Sequence, residues 1–319
     1  MPAETLVEVR RGAFLESVHT GHAAVCDAAG ALQEGWGDPG TTILPRSSCK
    51  MIQALPLARE RPDLPAERLA LACASHEGAR AHTARVAGWL ADLGLSEADL
   101  RCGAHMPKDR EARHALIRGG RAPDQTHNNC SGKHAGFLML AGRLGGGPDY
   151  VDPSHPVQRA VLAAFEEATG ETSPGHAVDG CSAPNFACSL RGLAIAAARM
   201  ATGDGAERRL REAMVAHPDL VAGEGRACTE LMRAMDGVAV KTGAEGVFVA
   251  ILPAAGLGVA VKAADGATRA AECAIAAILA RLGVLDARHP AAKARMTPPV
   301  VNWRGIRCGE VRPAPALTR

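Results

Sequence analysis

Lysine is scarce in this chain of 319 residues. Of its 36 basic residues only Lys50, Lys108, Lys133, Lys241, Lys262 and Lys293 carry an amine. Arginine keeps its proton in any protein, whereas burial or a nearby cation can neutralise lysine. Each retained lysine therefore marks a place where an amine can matter. Charge of one sign is missing too: 36 Lys+Arg stand against 34 Asp+Glu, a formal net charge of +2. That field is too weak to draw nucleic acid, and no block of like charges forms a tail. No apolar run approaches the roughly 18 residues that a membrane span needs, so no membrane partner is expected. The opening Met1-Pro2-Ala3-Glu4-Thr5 is acidic where a secretory signal is basic, and no apolar stretch follows it. The expectation is a soluble, cytoplasmic protein whose ten scattered cysteines are thiols, metal ligands or reactive groups and not a disulfide framework. Walker A and HExxH patterns are absent, which removes the main support for a Walker-type phosphate cradle and a helical zinc site.

What is present is a strand–helices–strand order. Residues 5–37 alternate short apolar runs with turn signals, Asp27-Ala28-Ala29-Gly30 among them, and read as two or three antiparallel strands. From about 47 to 237 the helical period dominates, with helices expected at 47–58, 80–93, 97–101, 133–144, 155–169, 186–202, 205–216 and 226–235. Gly94, Gly145 and Gly170 act as stop signals, and Ser96 with Asp99 resembles a capping box. Strand patterning returns at 238–241, 246–252 and 259–264, an Ala-rich helix follows at 268–285, and the Pro-rich end is extended around 300–311. One domain spanning 1–319 is expected, an α+β fold whose antiparallel sheet draws on about 1–40 and 238–311, with a helical region at about 47–237.

Four segments can carry chemistry. Ser47 and Lys50 form an S-x-x-K pair, and an i, i+3 spacing at a helix start puts both side chains on one face. A neutral amine there can take the hydroxyl proton and make a serine nucleophile without histidine. Ala74-Ser75-His76-Glu77-Gly78 offers a second hydroxyl and a possible base, or only a loop before the next helix. Asn128-Asn129-Cys130-Ser131-Gly132-Lys133-His134, with Val178-Asp179-Gly180-Cys181 some fifty residues on, supplies two thiols and nearby nitrogens that suit Zn²⁺ or serve structurally. Lys241-Thr242-Gly243-Ala244-Glu245-Gly246 precedes a strand, and Lys262 in the next one either points into a cleft or guards an edge. His19, His22, His105, His155 and His217 are scattered and read as surface or satisfied core residues.

Taken together these segments resemble the inducible Rhizobium-type asparaginases, the class 3 or asparaginase II family. The resemblance rests on Arg46-Ser47-Ser48-x-Lys50, Ala74-Ser75-His76, Asn129-Cys130-Ser131-Gly132-Lys133-His134, Asp179-Gly180-Cys181 with Pro184-Asn185, Gly243-Ala244-Glu245-Gly246, and Lys262 followed by Asp265-Gly266. It implies a serine β-lactamase-like fold and two Ser–Lys tandems, Ser47 with Lys50 and Ser75 with Lys262. It also implies a Zn²⁺ site of Cys130, Lys133 and Cys181, with Asp179 beside it; because a serine nucleophile makes a metal hydroxide unnecessary, the ion is expected to orient substrate or shape the site and not to activate water. Arg46, His76, Asp179 and Glu245 would contact substrate, and the protein would be a homodimer.

The expected function is an L-asparaginase that hydrolyses L-asparagine to L-aspartate and ammonia. A serine glutaminase or penicillin-recognising hydrolase of the same fold is the nearest alternative, and a non-catalytic zinc-binding protein is the alternative from another class.

Overall fold

Residues from both ends of the chain join in one antiparallel sheet, which follows from the strand–helices–strand order. The computed structural model describes residues 2–318. Its eight-stranded sheet runs Pro299–Val301, Arg307–Pro313, Glu4–Arg11, Phe14–Asp27, Leu257–Ala263, Val247–Leu252, Ala239–Thr242, and Leu32–Trp36 pairs with Phe14–Asp27 off that path. Every pairing is antiparallel. The α+β class expected from the sequence is the one the chain adopts.

The chain divides into two compact units. A sheet unit takes residues up to 48, 188–202 and from 230 onward, and a helical unit takes 49–187 and 203–229. Helix Leu190–Thr202 falls inside the stretch read as the helical region, yet it belongs with the sheet.

Within the sheet unit, Val247–Leu252 is buried at all six positions, so both of its faces are covered. Helices Leu190–Thr202 and Thr268–Arg281 pack against it and against Leu257–Ala263. Both helices are rich in alanine, and small side chains let helix and strand backbones approach closely. Gly258 shows how closely: a Cβ there would lie 2.2 Å from the Ala194 carbonyl oxygen. Each fully buried valine of these strands contributes about 1.5–3 kcal/mol by leaving water.

In the helical unit, Ser131–Leu144 is buried at every position from Ser131 to Ala141, as a helix surrounded by others must be. Gly132 lets it settle on Ala66–Ala72, because a Cβ there would be 2.4 Å from the Leu71 carbonyl oxygen. Trp89, Phe137, Tyr150 and Phe165 fill the space around it.

Several local expectations meet their physical limits here. The expected helix over 47–58 is three pieces, a 3-10 turn Arg46–Cys49, then Lys50–Gln53 and Leu55–Glu60. Pro56 has no N–H to continue the ladder and sits in the first turn of the last piece. Helices Ala66–Ala72 and Arg110–Arg118 are additions to the expected set. The second buries only Leu116, though Asp109 accepts from the Ala112 N–H as its N-cap. Gly145 and Gly170 do end their helices in the left-handed conformation, and Ser96 with Asp99 forms a capping box. Among the described residues no helix is long and apolar enough to cross a membrane.

Candidate active site

Lys50 opens its helix fully buried. Its Nζ donates to the Ala74 carbonyl, lies 3.1 Å from Ser75 Oγ and lies 3.1 Å from Cys130 Sγ. The loop that carries Ser75 is stitched in place on both sides: the Ser75 N–H donates to Val221 O and the His76 N–H to Asn129 O. Lys50 and Ser75, which come from different sequence motifs, thus meet within hydrogen-bond reach. Ser47 is half-buried in the 3-10 turn that precedes Lys50.

His76 is buried and both its ring nitrogens bond to protein. Nδ1 accepts from the Gly78 N–H at 3.1 Å, which leaves Nε2–H to donate to Ser131 Oγ at 2.9 Å, and Ser131 Oγ in turn donates to Thr126 O. Its ring stacks on His82, with centroids 4.7 Å apart. Burial, then the neighbouring His82 and Lys50, hold the His76 imidazole well below its ordinary range, so it is neutral. The residue ties the Ser75 loop to the start of helix Ser131–Leu144.

Cys130, Lys133 and Cys181, all buried, gather as the second cluster. Asn128 fixes the first of them: its Oδ1 accepts from the Cys130 N–H while its Nδ2 donates to Cys102 O and Gly103 O. Cys181 sits in the turn of a short hairpin, His176–Val178 with Pro184–Phe186, closed by the Asp179 N–H to Ala183 O and by Ser182 in the left-handed region. Lys133 Nζ lies 3.2 Å from Cys181 Sγ and 5.3 Å from the centroid of the Phe137 ring. The hydrogen bond from Cys130, with Lys133 and His134 nearby, drives the Cys181 thiol far down, and the same bond with burial drives Cys130 up. Burial opposes the Lys133 ammonium, but the Cys181 and Cys130 sulfurs and Asp179 outweigh it and raise its pKa. His134 belongs to this cluster and was not singled out as a site residue in the sequence. Its Nδ1 meets the Tyr150 hydroxyl at 2.9 Å, and its buried Nε2 has no nitrogen or oxygen partner and faces the Cys181 sulfur as its neighbour. Adjacency to Lys133 in the same motif was the available signal.

In the sheet unit, Arg46, Glu245 and Lys262 line one cavity of about 380 Å³ together with His22, Thr41, Thr42, Ile43, Leu44 and Ala264. Lys262 Nζ donates to the main-chain oxygens of Glu245 at 2.6 Å and Ala263 at 2.7 Å. Burial lowers its pKa, against Glu245 and Asp265 which raise it. Gly243 packs on the turn before Ser47, where a Cβ would stand 2.7 Å from Pro45 O, and Ser48 Oγ donates to that same carbonyl. Lys262 therefore points into a cavity and is not an edge guard.

Backbone conformation singles out the same places. Among the described residues the non-glycine positions with positive φ are Arg46 at 53°, Ser182 at 69° and Glu245 at 56°. Each costs on the order of 1 kcal/mol, and each adjoins or is a candidate site residue. No group of three or more His, Cys, Asp or Glu side chains among the described residues is arranged to hold a metal ion. The sulfur pair reaches three donors when the Lys133 amine is counted.

A family model described as L-asparaginase II matches residues 7–313. The chain belongs to the L-asparaginase II family. No curated protein matches its sequence at a significant level. Among solved structures, the native form of Mglu is similar with a TM-score of 0.43 at 14% identity, over 79% of this chain and 61% of Mglu. A putative beta-lactamase from Bacteroides dorei gives 0.42 at 12% identity over 76% and 84% of the two chains. A class C beta lactamase from Rhodobacter sphaeroides gives 0.40 at 16% identity over 79% and 91%. The chain spans about three fifths of the length of the native Mglu structure.

Proposed function

We propose that this chain is an L-asparaginase that releases ammonia from the side-chain amide of L-asparagine through a serine nucleophile served by lysine amines. Family membership supports the reaction class. The observation that supports a lysine base is a fully buried Lys50 whose Nζ lies 3.1 Å from the Ser75 hydroxyl; the choice of Ser47 as nucleophile rests on its S-x-x-K spacing, in the half-buried turn just before Lys50. A serine hydroxyl is a weak nucleophile until a base takes its proton, and an amine shielded from water can do so.

Ser47, three residues before Lys50, attacks the carboxamide carbon. Lys50 takes the Ser47 proton as the new C–O bond forms, then gives it to the nitrogen as the C–N bond breaks. Ammonia leaves an acyl-enzyme. Water then attacks the same carbon, Lys50 receives its proton, and the ester bond breaks with that proton returning to Ser47. Ser75 and Lys262 carry protons in the same cycle. Arg46, Asp179 and Glu245 orient the substrate. His76 serves by holding the Ser75 loop, since neither of its nitrogens is left for a ligand.

Zinc fits the second cluster by donor chemistry: two sulfurs, an amine nitrogen, and a buried His134 Nε2 without an oxygen or nitrogen partner. Cys130, Lys133 and Cys181 would hold the ion, which would supply fixed positive charge for orienting substrate. The reading includes a cytoplasmic homodimer, which light scattering on the purified protein checks.

The deciding experiment is ammonia release from L-asparagine and L-glutamine by the wild type, Ser47→Ala and Lys50→Met. Asparagine turnover that falls by about 10²–10⁴ in both variants is the expected result. Ser47→Ala at near-full activity would falsify the assignment of the nucleophile. Turnover of glutamine alone would keep the chemistry and change the substrate.

A further inference from the structure

We propose that His22 is a substrate-binding residue of the Lys262 cavity, donating its Nε2–H to the α-carboxylate of the amino-acid substrate; this rests on the asparaginase reading. Sequence inspection passes His22 over as one of several scattered histidines. The sheet register gives it a place. Strands Phe14–Asp27 and Leu257–Ala263 pair with His22 directly opposite Lys262, and residues opposite each other in an antiparallel pair project from the same face. Both line the same cavity.

Hydrogen bonding then fixes the tautomer. The Asp38 N–H donates to His22 Nδ1 at 2.8 Å, so Nδ1 holds a lone pair and the ring proton of the neutral imidazole sits on Nε2. Gly37 permits that contact, since a Cβ there would stand 2.5 Å from Nδ1. Burial lowers the His22 pKa, and the Lys262 charge works in the same direction against Asp38, which keeps the ring neutral. Nε2 has no hydrogen-bond partner among the described residues. The half-buried ring thus offers the cavity one oriented donor and no acceptor.

The surrounding charges say what that donor meets. Arg46 and Lys262 bring positive charge to the cavity walls, and the exposed Glu245 brings one carboxylate. A neutral donor between two cations suits an anionic group, and a single carboxylate at the rim suits an ammonium. That pattern complements the zwitterionic head of a free α-amino acid, with its carboxylate at His22.

Two variants separate the two ring nitrogens. His22→Asn keeps an acceptor where Nδ1 stood and removes the cavity donor, whereas His22→Gln keeps a donor near the Nε2 position. Each is assayed with L-asparagine and with L-asparaginamide, in which the α-carboxylate is an amide. His22→Asn is expected to raise KM for L-asparagine about tenfold or more with kcat little changed, to leave KM for L-asparaginamide in place, and to be rescued by His22→Gln. An unmoved KM for L-asparagine, or an equal rise for both substrates, overturns the inference and leaves the asparaginase reading standing. A wild type that releases ammonia from neither amide overturns both. Should His22→Asn fail to fold, the wild type with ¹⁵N-labelled histidine gives the answer by NMR. The Nε2–H signal of His22, identified by its absence from His22→Gln, is expected to shift on adding L-aspartate, and an unshifted signal overturns the proposal.

Discussion

Acidification should unfold this protein through a pair of stacked histidines, and the size of the effect follows from their surroundings. His76 and His82 lie face to face with centroids 4.7 Å apart and planes 7° from parallel. Protonating His76 on Nδ1 would break its bond from the Gly78 N–H, and protonating His82 would place a charge on an Nδ1 that has no partner. Burial is the leading cause that holds both pKa values below the ordinary 6.5. In the unfolded chain both rings bind protons as pH falls through about 6.5, while the native rings, with lowered pKa values, bind them only at lower pH. The unfolded state then holds more protons, so stability falls with falling pH. Each ring contributes about 1.4 kcal/mol per pH unit well below 6.5. Integrated from pH 7.5 to 5.0, the two together remove at most about 4 kcal/mol, the limit in which neither native ring takes a proton, against a typical 5–15 kcal/mol of total stability. Urea titrations followed by circular dichroism at pH 7.5, 6.0 and 5.0 measure it. His82→Asn removes one titrating ring and should retain up to about 2 kcal/mol more of its pH 7.5 stability at pH 5.0 than the wild type does. An equal acid loss in both proteins would refute the reasoning.

Other expectations concern packing and the thiol cluster. Gly132→Ala should cost about 1–3 kcal/mol or more in thermal or urea unfolding, because its Cβ would meet the Leu71 carbonyl at 2.4 Å; an unchanged midpoint would remove the close approach as an account of that helix contact. Cys181→Ala should abolish retention of zinc in protein purified and dialysed with the metal, as measured by elemental analysis, whereas zinc retained at one equivalent would place the ion elsewhere. Zinc added to the metal-free wild type should release protons in weakly buffered solution, since Cys130 and Lys133 hold them beforehand. A constant pH on binding would count against these ligands.

Sequence alone carried the α+β class, the meeting of the two chain ends in one sheet and the approximate helix positions. These rest on local rules: short apolar runs at Val247–Leu252 and Leu257–Ala263 bounded by turn signals, left-handed glycine stops at Gly145 and Gly170, and a capping box at Ser96. It also marked Lys50, Lys133 and Lys262 as unusual amines in an arginine-rich chain, and each proves at least half-buried. Where local rules had little to act on, the reading stopped short. Arg110–Arg118 buries only Leu116, and its apolar stripe of Ala112, Ala115 and Leu116 is short and mostly alanine, a weak signal in a polar stretch. Pro56 fragments a helix whose periodicity otherwise looked continuous.

Partners across long separations were decided by tertiary structure. Lys50 sits within bonding distance of Ser75 because the Ser75 loop is tied to Val221 and Asn129, and neither tie leaves a trace in the spacing of the motifs. His76 reads in sequence as a possible base or only part of a loop, and it bonds through both nitrogens once Ser131 arrives from 55 residues away. His22 is unremarked until strand register sets it opposite Lys262. The sequence determined which chemical groups are available and which local backbone each can adopt, because those depend on neighbours a few residues apart. Only the tertiary structure decided which proton each group holds and which atom it faces, because burial and hydrogen bonding are properties of the folded surroundings.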